Sequence, residues 1–155
     1  MDRRSFLVSS FVLSLALPLA ACGGEHEGHA QAQGARRCDL CGMRINPSSG
    51  WRAGGRGPSG QDVAFDTPKC MFRFHHTRGA VSDPWIMEYY SQERRDARAL
   101  RYALGSDVSG PMGRDLVPIE GEEAAARFQR EHHATRILSF TEVTAAIVED
   151  LFRPR

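Results

Sequence analysis

No stretch of the sequence is apolar for long enough to cross a bilayer as a lasting helix: the longest, from Phe6 to Leu19, has 14 residues, and about 20 are needed. Charge of one sign is not in excess either. There are 20 Lys or Arg against 19 Asp or Glu, a net charge of +1, and no five basic residues follow one another. That balance gives no electrostatic footprint for nucleic acid. Nearly all of the basic residues are Arg, scattered as on a solvated surface. Patterns for catalysis are missing as well. There is no His-Glu-x-x-His, no glycine-rich loop followed by Lys and Ser or Thr, and no Ser–His–acid order that would suggest a triad. These absences point to a binding protein and away from an enzyme.

What is present is sulfur in an unusual concentration. Cys38-Asp39-Leu40-Cys41-Gly42-Met43 places two thiols and a thioether within six residues. Such polarizable donors prefer Cu(I) and related soft ions, whereas Mg, Ca and Mn prefer oxygen. The Cys-x-x-Cys spacing lets both sulfurs face one point, and Gly42 can adopt backbone angles that turn Met43 towards it. The pair alone is ambiguous, because the same spacing serves structural zinc, thiol–disulfide exchange or a plain disulfide.

The start of the chain reads as an address. Arg3-Arg4, the apolar run and small residues up to Cys22 form a signal peptide over residues 1–21. Leu19-Ala20-Ala21-Cys22 resembles the lipobox of bacterial lipoproteins, which makes Cys22 the lipid attachment point. Asp2-Arg3-Arg4-Ser5-Phe6-Leu7 also looks like a twin-arginine export motif, though without a following Lys. Residues 22–37 are rich in Gly, Ala, Gln, Glu and His and form a flexible tether. Its His26 and His29 are read as incidental, because a disordered loop loses entropy when it closes on a metal.

The folded domain spans 38–155. Trp51 and Ala53, then Val63 and Phe65, predict a hairpin across the glycine-rich turn Gly54 to Gly60. Asp66-Thr67-Pro68 predicts a helix start, with Cys70 in its first turn, where a thiol tends to ionise; Cys70 is a candidate ligand or a small buried hydrophobe. Strands are expected at Trp85 to Tyr90 and Leu100 to Leu104, separated by a charged turn or short helix. The pattern then repeats: a strand at Leu116 to Ile119, a helix from Gly121 to His132, a strand at Arg136 to Phe140, and a last helix after Thr141 with Val143, Ile147 and Leu151 on one stripe. Met112, between Pro111 and Gly113, lies in a turn. The spacing is not that of parallel βαβ units, so the expected class is α+β with antiparallel sheets.

Taken in order, Cys38 to Met43, Phe65-Asp66-x-x-Lys69-x-Met71-Phe72, Tyr89-Tyr90, Gly105-Ser106-Asp107-Val108-x-Gly110-Pro111-Met112-Gly113, and Phe140 with Glu142 resemble the NosL family. The likeness covers nearly the whole chain after Cys22. It implies a lipoprotein facing the periplasm that binds Cu(I) and acts as an accessory protein to nitrous oxide reductase, delivering copper to its maturation machinery. It also implies two small related halves. The family's ligand positions fall on Cys41, Met43 and Met112, with Cys38 beside them, while Cys70 falls where relatives often have Asp. Two rivals follow from the thiols alone: a disulfide oxidoreductase using Cys38 and Cys41, and a structural zinc site made by Cys38, Cys41, Cys70 and His75.

Overall fold

Short apolar alternations separated by Gly, Pro and charged residues build strands, and the computed structural model, which describes residues 36–154, arranges them in two antiparallel sheets with three helices. The signal peptide, Cys22, and His26 and His29 of the tether lie outside the described residues. No helix among the described residues is long and apolar enough to cross a membrane.

The expected hairpin forms from β1 (Ala53–Arg56) and β2 (Asp62–Phe65), with Ala53 opposite Phe65. Its turn is shorter than the glycines suggested. Gly54 and Gly55 belong to β1 because neighbours press on them: a Cβ on Gly54 would stand 2.7 Å from the Trp85 ring, and one on Gly55 2.5 Å from the Val81 side chain. Helix α1 (Pro68–Thr77) begins as predicted, with Pro68 in the first turn, where its missing N–H does no harm. The cap is not local, however. Thr67 makes no side-chain cap bond, and the free N–H of Lys69 donates instead to Asp115 Oδ1 at 2.9 Å.

β3 (Ser82–Met87) is followed by β4 (Arg94–Asp96), a three-residue edge strand, and by a single 3-10 turn at Ala97–Ala99, within and just past the stretch expected as a charged turn or short helix. β5 (Leu100–Gly110) runs well past Leu104, pairing with β6 (Gly113–Glu120) through a register irregularity between Leu104 and Ser109. α2 (Glu122–Glu131) buries Ala125 and Phe128, and β7 (Arg136–Ser139) returns beside β5. The last helix, α3 (Ala145–Phe152), starts later than expected. The Thr144 hydroxyl accepts the Ile147 N–H and sets its start, while Glu142 closes a capping box with Ser139 on the preceding single turn. Val143 is buried but lies outside the helix.

The repeat expected from the sequence is explicit in the topology. The sheets have the orders β2-β1-β3-β4 and β6-β5-β7. In each ββαβ half the first strand is central, its hairpin partner flanks one side, and the strand after the helix flanks the other, all antiparallel. α1 also packs against α3 and β6 of the second half. Buried between them, Phe72 meets Tyr102 edge-on at 5.0 Å, and Cys70, Met71 and Phe72 are fully covered. That crossing brings the first turn of α1 to the β5–β6 turn.

Candidate metal centre

The Cys-x-x-Cys segment is a closed loop. Arg37 and Arg44 form an antiparallel bridge across its neck, the Cys38 N–H donates to Met43 O at 2.8 Å, and the Gly42 N–H donates to Cys38 O at 2.9 Å. Closing so tightly requires a left-handed residue, and Gly42 supplies it with φ of +75°. Asp39 docks the loop on β2: its N–H donates to Ala64 O at 2.9 Å, and its carboxylate accepts the Ala64 N–H at 2.7 Å. Cys38 is thereby buried while Cys41 faces solvent.

Three sulfur-bearing segments then meet. The Sγ atoms of Cys38, Cys41 and Cys70 all lie within 4.8 Å of one another. Cys70 Sγ stands 4.0 Å from Cys41 Sγ and 3.8 Å from Met112 Sδ. Of the residues singled out in the sequence, Cys38, Cys41 and Met112 are thus gathered, and Cys70 is their common neighbour. Met43 enters none of these close contacts; it is 47% exposed. His75 is not in the group. Five residues after Cys70 on a helix, it is turned about 140° away, and its Nδ1 accepts the Val81 N–H at 3.1 Å.

Lys69 and Asp115, which no motif of ligand type marks, back this corner. The Lys69 ammonium donates to Met112 O at 2.8 Å and Arg114 O at 2.7 Å, fixing the turn that carries the thioether. Asp115 Oδ1 accepts the N–H groups of Lys69 and Leu116, both at 2.9 Å, so one buried carboxylate ties β6 to the start of α1. Burial nevertheless raises Asp115 to about 6, against the hydrogen bonds that favour its charge. The only outward sign of Asp115 in the sequence is a carboxylate adjoining the apolar run of β6.

Protonation differs among the thiols. A hydrogen bond from Cys70 is the main cause that lowers Cys38 to about 5, aided by the N–H groups of Cys41, Asp66 and Leu40 and opposed by burial. The same interaction, with burial, pushes the Cys70 thiol far up. Burial raises Cys41 as well. One thiolate therefore sits among two thiols and a thioether. Sulfurs held in a trigonal plane at a metal–thiolate length of about 2.3 Å stand about 4.0 Å apart, which is the spacing found around Cys70. Three thiols with a thioether as the fourth donor suit a soft monovalent ion better than a zinc cage, whose four ligands are thiolates, imidazoles or carboxylates.

Fold and site together define a class: a small α+β domain of two ββαβ halves with a soft-donor corner where they meet. The chain belongs to the NosL family, whose model matches residues 29–148. The crystal structure of the copper chaperone NosL from Shewanella denitrificans has a similar fold, with a TM-score of 0.64 and 19% sequence identity over 72% of this chain and 92% of that one. A comparison with curated proteins gives no significant match.

Proposed function

We propose that this protein is a carrier of Cu(I), held to a membrane on its extracytoplasmic, periplasmic face by lipid on Cys22, that delivers copper for the assembly of the copper centres of nitrous oxide reductase. The observation that carries this reading is the convergence of Cys41, Cys70 and Met112 at 3.8 to 4.0 Å, with Cys38 behind them. A carrier must retain the ion and still yield it, which favours two or three soft donors at a surface over a closed cage. Here Cys70 is buried and Cys41 exposed, so the ion would be both held and reachable. Met43, at the exposed end of the loop, supplies a further thioether for capture. Loading replaces protons on Cys41 and Cys70, so it releases protons and weakens as pH falls.

Cys41→Ser is expected to abolish tight Cu(I) binding, because a neutral hydroxyl is a hard, weak donor. Met112→Leu and Met43→Leu are expected to weaken it without unfolding the chain, since volume is nearly kept. The measurement is anaerobic competition with a chromophoric chelator; parent-like retention by Cys41→Ser would refute the site. The delivery step is tested by the copper content of nitrous oxide reductase in cells that lack the gene, rescued with the parent or with Cys41→Ser. The anchor is tested by the intact mass of the membrane fraction, which should carry acyl chains on Cys22 and lose them in Cys22→Ser.

A further inference from the structure

The stretch from Arg36 to Val81, which bears the three thiols, is strongly positive, although the whole chain is nearly neutral. Residues 36–81 hold eight Arg or Lys against three Asp, whereas residues 82–154 hold nine against thirteen acidic residues. Around the donor loop this excess is organised. Arg37 Nη1 donates to Gly42 O at 2.9 Å, and Arg78 donates to Asp39 O at 2.9 Å and Leu40 O at 3.3 Å. Arg44, exposed, follows Met43 directly. Among the described residues no carboxylate pairs with Arg37, Arg44 or Arg78. The one carboxylate of the loop, Asp39, is already engaged by the Ala64 N–H and by Arg36. On the far side of the site, Met112 borders a cavity of about 380 Å³ lined also by Lys69, Arg114, Phe152 and Arg153.

Unpaired surface guanidiniums are ordinarily just solvated. Those of Arg37 and Arg78 are instead seated on carbonyl oxygens of the very loop that presents Cys41 and Met43 to solvent, so their charge is fixed beside the exposed donors. Taking the carrier reading above as its basis, we infer that this face docks on a protein partner whose own copper-accepting donors are ringed by Asp and Glu. The carboxylates meet the arginine rim, which steers encounter and suppresses wrong partners. The incoming sulfur or imidazole then reaches the ion from the Cys41 and Met43 side, and copper stays Cu(I) while one donor replaces another. An anionic lipid surface would satisfy the arginines but offers no soft donor, which is why a protein partner fits better.

The test uses the full chain loaded with Cu(I) and two synthetic peptides that share one copper-binding segment containing Met and Cys, flanked in one by Glu and in the other by Lys. Transfer is followed anaerobically by stopped flow from 10 mM to 1 M salt, over which the screening length falls from about 30 to about 3 Å. The Glu-flanked peptide is expected to accept copper at least tenfold faster at low salt, and the advantage should vanish at high salt. Arg44→Glu, on the exposed rim beside Met43, should cut that advantage severalfold while chelator competition still reports tight Cu(I) binding. Equal rates for the two peptides at low salt, a faster Lys-flanked peptide, or an advantage insensitive to salt would overturn the inference. So would vesicles of anionic phospholipid that bind the parent and not Arg44→Glu, with no discrimination between the peptides. Failure to retain Cu(I) against the chelator would instead sink the carrier reading itself, so the two failures are distinguishable.

Discussion

Cys70 is the residue on which the corner turns. It is fully buried, touches both the exposed thiol and the thioether, and is the main cause that keeps Cys38 low. Replacing it by Ala should therefore do two things at once. Cu(I) affinity should fall at least tenfold in chelator competition, and the Cys38 thiolate, read by its ultraviolet absorbance against pH, should titrate nearer the ordinary thiol range of about 8.5. The sequence marks Cys38 and Cys41 as candidates because softness and spacing are local properties, whereas it offers Met112 as a ligand only through the family resemblance. It left Cys70 undecided between ligand and buried hydrophobe, because the answer depends on α1 crossing onto the other half, and no local pattern encodes that. Lys69 and Asp115 were not legible as parts of the site for the same reason, since their partners lie more than forty residues away.

At the level of elements, the join between α1 and β6 depends on a buried acid whose ionisation opposes folding. Asp115 titrates at about 6 in the fold against a reference value of 3.8. A group raised on folding stabilises fully below its unfolded value, and that contribution is lost as pH rises through the folded one. Stability should thus fall between about pH 4 and pH 6 by up to about 3 kcal/mol from this group. Asp115→Asn should flatten that part of the curve, as urea midpoints at pH 4, 5, 6 and 7 would show. In the donor loop, Gly42→Ala meets no atom within 4 Å but keeps a φ of +75°; strain of about 1 kcal/mol is expected, read as a lower denaturation midpoint. Helices and the first hairpin were readable because period and breakers agree there. β4 and the second part of β5 were not, since Arg-Arg-Asp and Ser-Asp-Val-Ser-Gly carry little apolar alternation and are strands only because a neighbouring strand pairs with them.

Across the whole molecule, the thiols belong to the first ββαβ half and Met112 to the second, so a bound ion fastens the halves together. Hydrogen exchange in α1 and the β5–β6 hairpin should slow on Cu(I) loading by more than in α2, and Met112→Leu should remove most of that difference. The α+β class and the doubled topology were foreseen from the alternation of elements, whereas the docking of α1 across β6 emerges only in three dimensions. The difference in exposure among the sulfurs has a directional consequence. Cys38 and Cys70 are walled in, Met112 is pinned through its carbonyl by Lys69, and Cys41 and Met43 stand on the open side. The centre therefore has a front and a back, like a drawer that slides one way. On the proposed carrier reading, an acceptor's donors would replace the front sulfurs while the back ones still gripped, so the ion would never be bare and its traffic would run along a single path.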